Sequence, residues 1–136
     1  MELLYKDLSY RVVGLCIEIY NTYGSYHKEI VYHRLIKEKL DLNGIDNISE
    51  PKIDLYSQDS GKIPGCYVPD FLIDNKIILE IKATRVNCFR DEEQLIHYLK
   101  VSNYELGYLI NFGLRSLYFK RLIYTNDKKK IHTKIR

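Results

Sequence analysis

The sequence PDFLIDNKIILEIK, which occupies residues 69–82, decides the fold of this chain. It holds two apolar segments on either side of a polar turn at residues 74–76, and this pattern predicts two antiparallel strands. Two charged residues stand at the end of the second segment. Because Glu80 and Lys82 are two positions apart on a strand, their side chains share one face of the sheet. Taken alone, such a pair is most simply explained as an ion pair at a strand end.

The length of the turn decides whether Asp70 can join Glu80. A two-residue turn would direct the Asp70 side chain to the face opposite Glu80. A three-residue turn instead pairs Ile73 with Ile77 and places Asp70 opposite Glu80, with Cβ atoms about 5 Å apart. Asn75 tolerates the left-handed backbone that such turns need. We therefore expect the three-residue turn or an equivalent bulge.

An aspartate, a glutamate and a lysine at one end of a hairpin have a chemical use. Two carboxylates that approach each other repel strongly unless a cation lies between them. Mg²⁺ prefers a few carboxylates together with water and phosphate oxygens, which suits the hydrolysis of a phosphodiester. Lys82 could then orient or help deprotonate the attacking water and offset the developing charge. The pattern therefore predicts a divalent-metal site at Asp70 and Glu80.

The rest of the chain alternates between helical and strand patterns of apolar residues. The helical spacing predicts helices over residues 8–23, 28–40 and 91–101. In the first of these, the expected apolar stripe comprises Val12, Val13, Cys16, Ile17 and Tyr20. Alternating or continuous apolar segments predict strands over residues 52–56, 66–73, 76–83, 107–112 and 116–123. The resulting order, α-α-β-β-β-α-β-β, is typical of an α/β fold with a mixed sheet.

Length and composition indicate one ordinary globular domain. The chain has 136 residues, of which 46% are hydrophobic and 29% charged, so a disordered chain is excluded. No apolar run is long enough to cross a bilayer, and the first residues lack the pattern of a secretory signal. The three cysteines form no Cys-x-x-Cys spacing and are odd in number, which argues against a zinc knuckle and a disulfide framework. We therefore expect a cytoplasmic protein with no membrane partner.

The basic character of the chain lies in its tail. Residues 125–136 contain five basic residues and one acid, a balance of +4, so the remaining chain carries −1 of the total of +3. We expect a single domain over residues 1–124 and a basic tail over residues 125–136. The tail could touch phosphates, but a frayed, solvated terminus is the simpler explanation. A nucleic-acid partner therefore cannot be argued from the bulk charge.

The site residues resemble a known signature. Pro69 and Asp70, followed by Glu80-Ile81-Lys82, resemble the signature of the PD-(D/E)XK nuclease superfamily, and from about residue 5 to residue 124 the chain resembles the GxxExxY family within it. The resemblance implies a restriction-endonuclease-like core, α-β-β-β-α-β, in which helices flank a mixed central sheet, plus an extra N-terminal helix. The matching segments are residues 8–14, 18–21, 29–32, 69–72, 78–83, 94–100 and 109–113.

The same resemblance implies roles for individual residues around a Mg²⁺ or Mn²⁺ cofactor. Asp70 and Glu80 would be metal ligands, Lys82 would be the catalytic lysine, and Glu29 would add an acid from a helix. Glu18 would be a further acid of the same kind. The resemblance also places Gln94 and Tyr98, which are one helical turn apart, along the site. In one departure, Tyr26 stands where such families carry glycine, and a tyrosine there would crowd the approach to Glu29.

Each helical residue in this set also has an ordinary structural explanation. Glu29 would complement the dipole at a helix start, and Glu18 would lie on a solvated face. Gln94 would be an exposed helix position, and Tyr98 would pack in the core. The four histidines lack the spacing of metal ligands, so we expect them to be structural or to lie at the surface.

Three basic residues outside the tail are candidates for contacts with a nucleic-acid backbone: Lys100, Lys120 and Arg121. For Lys120 and Arg121, which follow an apolar strand, a solvated sheet edge is an equally good explanation.

Two functions from different classes remain open. The first is a Mg²⁺- or Mn²⁺-dependent nuclease that cuts DNA, and the intact set of Asp70, Glu80 and Lys82 favours it. The second is a catalytically inactive module of the same fold that binds nucleic acid or takes part in protein assembly. The small size and the slightly acidic body favour this alternative, because phosphate contacts normally dominate nucleic-acid affinity. A homodimer or a larger complex is compatible with both, but no self-complementary surface is visible in the sequence.

Overall fold

The computed structural model describes residues 3–132, and these form three helices, seven strands and one short 3₁₀ turn. The helices are α1 (Lys6–Tyr23), α2 (Glu29–Leu42) and α3 (Phe89–Val101). The strands are β1 (Asn47–Ser49), β2 (Ile53–Leu55), β3 (Gly65–Tyr67), β4 (Phe71–Ile73), β5 (Ile77–Lys82), β6 (Leu106–Asn111) and β7 (Tyr118–Ile123). The 3₁₀ turn is Asn126–Lys128.

Five strands form the central sheet, in the order β1-β4-β5-β6-β7, and β2 and β3 form a separate hairpin. The pairing of β5 with β6 is parallel and the other pairings are antiparallel, so the sheet is mixed. A parallel pair needs a crossover, and α3 supplies it between β5 and β6. In chain order, α2, β1, β4, β5, α3 and β6 give the expected α-β-β-β-α-β core, with α1 as the extra N-terminal helix.

Helices cover both faces of the sheet. Helices α1 and α2 pack on one face, where Ile81 and its neighbours on β4 and β6 are fully buried. Helix α3 and the β2–β3 hairpin cover the other face, where Ile78 is fully buried against Leu95 and Leu99. Each fully buried aliphatic side chain contributes about 1.5–3 kcal/mol to folding. Because side chains alternate along β5, Glu80 lies on the same face as Ile78, under α3.

The strand expected over residues 66–73 is wrong in one respect: the structure divides it into β3 and β4, which belong to different sheets. The break falls at Val68, Pro69 and Asp70. Proline has no N–H for a ladder and restricts the residue before it, so Pro69 ends the pairing and lets the chain pass to the other sheet. Strand β1 was not expected, because its three residues include only one apolar side chain, Ile48, which is 57% exposed.

No helix in the described part of the chain has both the length and the apolar character that a membrane span requires.

The basic tail, which the sequence predicted to be a frayed and solvated terminus, is docked on the body in its described part, where Asn126, Lys129 and Ile131 each form hydrogen bonds to it. The Lys129 side chain is buried, and its Nζ donates hydrogen bonds to the main-chain oxygens of Ser102 (2.8 Å) and Tyr104 (2.9 Å) and to Asn126 Oδ1 (2.6 Å). These hydrogen bonds attach the tail to the loop between α3 and β6. Lys128 and Lys130 are exposed, whereas Lys134 and Arg136 lie outside the described residues.

We expect Lys129→Met to lower the free energy of unfolding by about 1–3 kcal/mol, because two buried carbonyls lose their donor. Burial lowers the pKa of Lys129 to about 8, so urea denaturation at pH 7 compares the charged wild type with the variant. Lys130→Met, which removes an exposed lysine next in sequence, is the control and should leave the midpoint unchanged. Equal midpoints for the two variants would show that the docked lysine is energetically neutral.

Candidate active site

The hairpin between β4 and β5 has the three-residue turn that the sequence predicted. Ile73 pairs with Ile77 and Phe71 pairs with Leu79, so this expectation is confirmed. Asp74 and Asn75 supply the left-handed backbone of the turn, with φ angles of 50° and 52°. Short polar side chains adopt this conformation more readily than other residues, which stabilises this turn length.

Just beyond the last strand pair, the carboxylates of Asp70 and Glu80 each accept a hydrogen bond from a main-chain N–H across the hairpin. The main-chain N–H of Asp70 donates to Glu80 Oε1 at 3.0 Å, and the main-chain N–H of Ile81 donates to Asp70 Oδ2 at 2.7 Å. Where Pro69 ends the main-chain hydrogen bonds between the two strands, side-chain carboxylates thus accept the hydrogen bonds instead. Each carboxylate is fixed through one oxygen, and the two acids are held side by side.

This proximity changes the chemistry of Glu80. Burial, followed by the charge of Asp70, raises the pKa of Glu80 to about 7. The hydrogen bond from the Asp70 N–H, the charge of Lys82 and the Tyr67 hydroxyl act in the opposite direction. Desolvation is the dominant cause because a carboxylate away from water loses its hydration. A cation between the two acids would relieve both the repulsion and the desolvation.

Lys82 lies on the same face of β5 as Glu80 and pairs in register with Asn111 of β6. Within the described range, its amine makes no hydrogen bond and no ion pair. Its charge nevertheless acts on both Glu80 and Glu29, because it lowers the pKa of each. The amine is therefore close to the acids and free to contact a ligand.

Glu29 is the first residue of α2, and its charge interacts with those of Asp70 and Lys82. Partial desolvation, then the charges of Asp70 and Asp91, raise the pKa of Glu29, whereas Lys82 and His33 lower it. The structure thus places Glu29 close enough to Asp70 and Lys82 for their charges to change its pKa. Tyr26, where the resemblance led us to expect glycine, is 90% exposed, and its ring lies close to Gly24.

His33 belongs to the site, although the sequence predicted only a structural or surface residue. Its Nδ1 lies 3.4 Å from Asp70 Oδ1, its Nε2 lies 2.8 Å from Ser49 Oγ, and its ring stacks on Phe71 with centroids 4.4 Å apart. The signal was its position four residues after Glu29, which places both side chains on one face of α2. His33 fixes the second oxygen of Asp70 from the helix side.

Tyr67 is a second residue that the sequence did not indicate. Its ring is buried and stacks on Tyr98 with centroids 3.7 Å apart, and its buried hydroxyl has no hydrogen-bond partner in the described part of the chain. Burial and then the charge of Glu80 raise the pKa of Tyr67, so the hydroxyl lies near that carboxylate. A buried, unpartnered hydroxyl beside an acid leaves a donor available for a further group.

Helix α3 brings Tyr98 to the site through Tyr67, and Gln94 lies one turn earlier on the same face. Gln94 and Tyr98 line a shallow cleft of about 350 Å³ together with Arg90, Glu93 and His97. Lys100 lies near the other end of α3, where its amine is 5.6 Å from the centroid of the Tyr124 ring.

Glu18 is not brought to this site. Its carboxylate pairs with Lys39 at 2.9 Å, and Lys39 lies ten residues after Glu29 on α2. Ten residues of helix span about 15 Å, so Glu18 stands well away from Glu29.

Lys120 and Arg121 do not act together on one surface, because adjacent residues of β7 point to opposite faces. Lys120 is exposed, and Arg121 donates a hydrogen bond to the main-chain oxygen of Leu4 at 2.8 Å.

The donor set of the site fits a hard divalent ion. Among residues 3–132, no group of three or more His, Cys, Asp or Glu side chains is arranged to hold a metal. Asp70 and Glu80 therefore offer two carboxylates, and the rest of the coordination shell would be water and phosphate oxygens. Mg²⁺ is commonly bound in this way, through one or two carboxylates plus substrate phosphates. Because Tyr67 leaves an orphaned hydroxyl beside Glu80, the pocket has a donor for such an added shell.

We expect Glu80→Gln to stabilise the metal-free protein by roughly 3 kcal/mol at pH 8 and by little at pH 4. Since the pKa of Glu80 rises from 4.5 to about 7 on folding, the native state binds more protons in this window. The stability contributed by this group therefore falls as the pH rises from about 4.5 to 7, and glutamine abolishes that loss. Glutamine can still accept the hydrogen bond from Asp70.

Chemical denaturation in EDTA across this pH range measures the difference between variant and wild type. Glu93→Gln, which neutralises an exposed acid on α3, is the control. If the free energy of unfolding changed with pH in the same way for Glu80→Gln and for wild type, the expectation would be wrong.

Comparison with known proteins agrees with this geometry. The family model of the PD-(D/E)XK nuclease superfamily matches residues 6–122, a range that includes all seven strands except the last residue of β7. No curated protein and no solved structure gives a significant match. The mixed five-stranded sheet flanked by helices is the restriction-endonuclease-like architecture of this superfamily. With the fold, the hairpin signature and a match over most of its length, the chain belongs to the PD-(D/E)XK nuclease superfamily.

Proposed function

We propose that this protein is a metal-dependent nuclease that hydrolyses phosphodiester bonds in DNA. Membership of the superfamily supports a nuclease-type function and suggests a nucleic-acid substrate. The observation that carries the proposal is the pair of hydrogen bonds that hold Asp70 and Glu80 side by side, with the unpaired amine of Lys82 on the same strand face.

In this proposal Asp70 and Glu80 bind one Mg²⁺ or Mn²⁺ ion. When bound, such an ion lowers the pKa of a coordinated water and neutralises charge on the phosphate. The main-chain hydrogen bonds keep the carboxylates in place before substrate arrives, so little reorganisation is needed during reaction. His33 lies 3.4 Å from the other oxygen of Asp70, on the side of α2.

The proposed role of Lys82 is to orient or deprotonate the attacking water and to offset the charge that develops on the phosphate. Glu29 would add negative charge from the helix side and attract a cation. Tyr98 and Gln94 would border the substrate on the α3 side.

We further assign the chain to the GxxExxY family, and a local contact supports this assignment. Tyr32, three residues after Glu29, is fully buried, and its hydroxyl donates a hydrogen bond to the main-chain oxygen of Gly24. The main-chain N–H of His27 also donates to this hydroxyl, at 3.3 Å. Gly24 and Tyr32 thus fix the loop from which Glu29 projects, although Tyr26 stands at the glycine position of the family pattern.

We expect purified wild-type protein to cut labelled DNA in Mg²⁺ or Mn²⁺, and Lys82→Ala and Asp70→Asn to reduce the rate by at least about 100-fold. The substrates are single- and double-stranded DNA and RNA of one sequence, resolved on denaturing gels with EDTA as the blank. Lys76→Ala is the matched control, because it removes an exposed lysine from the turn of the same hairpin.

Calorimetric titration with Mn²⁺ separates the enzyme from an inactive module. The nuclease takes up Mn²⁺ in a way that Asp70→Asn abolishes. A protein that neither cuts any of the four substrates nor shows carboxylate-dependent uptake would instead be a non-catalytic module for nucleic-acid binding or protein assembly.

A further inference from the structure

A second concavity of about 380 Å³ adjoins the site on the side of Lys82 and Glu29. One wall is the loop before α2, and the other is the start of the loop after β5, with Gly113 at its base. Lys28 of the first wall directly precedes Glu29, and Ala83 of the second wall directly follows Lys82. We call this concavity the basic cleft. Both of its walls are continuous with segments that carry site residues.

The charge of the basic cleft is opposite to that of the site. Its ionisable lining residues are Lys28 and Arg85, together with His27 and Tyr26, and no acid lines it. Within the part of the chain that the structure describes, the side chains of Lys28 and Arg85 make no ion pair and no hydrogen bond. Two unpaired cations that converge on one cleft are suited to an anion, and a phosphodiester backbone presents one at every nucleotide.

A polyanionic substrate needs such a cleft in this protein. Two carboxylates flank the proposed metal position, and the chain up to residue 124 carries a balance of −1. Phosphate contacts normally supply most of the affinity for nucleic acid, so the contacts must come from a local cluster of cations rather than from bulk charge.

The wall that carries Arg85 is held rigidly. Asn111 Oδ1 accepts hydrogen bonds from the main-chain N–H groups of Thr84 (3.1 Å) and Gly113 (2.9 Å), and Asn111 Nδ2 donates to Asn87 at 3.0 Å. A Cβ at Gly113 would lie 2.3 Å from the main-chain oxygen of Thr84, so only glycine allows this close approach. Preorganised walls reduce the entropy lost when a ligand binds.

Tyr26 indicates which form of nucleic acid the cleft takes. Its ring is 90% exposed at the rim of the cleft, where a flat aromatic surface can stack on a base. Bases are available for stacking only in an unpaired strand, and cations together with an exposed aromatic ring are the common means of binding single strands.

We propose that the basic cleft binds single-stranded DNA, with Lys28 and Arg85 on backbone phosphates and Tyr26 stacked on a base, and that it guides this strand to the Asp70–Glu80 site. This inference rests on the proposed nuclease function, but binding can be measured without cleavage.

The experiment measures fluorescence anisotropy of labelled oligothymidine, and of a duplex of equal length, in EDTA on the Lys82→Ala background. We expect the double variant Lys28→Ala/Arg85→Ala to weaken single-strand binding about tenfold or more. Because each single-strand phosphate contact adds about 0.7 to the salt dependence, the slope of log K against log salt should fall by about 1.4. Tyr26→Ala should weaken binding at least about fivefold without a change in this slope.

The matched control is Lys52→Ala/Lys62→Ala, which removes the same charge from exposed positions outside the cleft. An equal loss in the control would overturn the proposal, as would unchanged binding in the cleft variants or an effect confined to the duplex. Circular dichroism melts verify that each variant is folded.

The outcomes also separate this inference from the proposed activity. If wild type fails to cut DNA but the cleft variants lose single-strand binding, the basic cleft is supported and catalysis is not. If wild type cuts DNA and the cleft variants bind as it does, the nuclease is supported and the basic cleft is overturned.

Discussion

The pairing of the Asp70 and Glu80 carboxylates with main-chain N–H groups is the constraint on which the candidate site depends. It exists because Pro69 ends the main-chain ladder and leaves the N–H groups of Asp70 and Ile81 to side-chain acceptors. It also requires the register of a three-residue turn, since a shift of one position would send the Asp70 carboxylate to the opposite face. A backbone feature of the hairpin thus fixes the distance between two charges.

That fixed distance has an electrostatic consequence. Two acids held together, one of them largely buried, favour a shared proton or a cation, and the protein offers no direct cationic partner to Glu80 among its described residues. Lys82 acts at longer range, while His33 restrains Asp70 and not Glu80. The two acids are therefore available to a cation from outside the protein. In the described part of the molecule, Lys28 and Arg85, the cations of the neighbouring cleft, make no ion pair with them.

The sequence predicted the features that depend on local chain geometry. Asn75 and the spacing of residues 73–77 were enough to predict the turn and the strand register. The two-residue spacing of Glu80 and Lys82 was enough to predict that they share one face of the sheet. It did not predict His33 and Tyr67 as site residues, because their contacts depend on how α2 and the β2–β3 hairpin pack on the sheet. The apolar stripe of α1 was also partly wrong: Ile17 is 41% exposed, while Leu15 and Ile19 are buried. Several stripes fit that apolar helix, and only its docking on α2 and the sheet selects one of them.

The β2–β3 hairpin stands outside the central sheet, yet it places Tyr67 near Glu80, where the ring stacks on Tyr98 of α3. It therefore works as an insulating wall that keeps bulk water from this side of the acid. Among the strands that the structure describes, those of this hairpin pair only with each other, so the hydrogen-bond ladder of the central sheet does not depend on them. The acid strength of the site can thus be tuned from a peripheral segment while the ligand geometry stays constant.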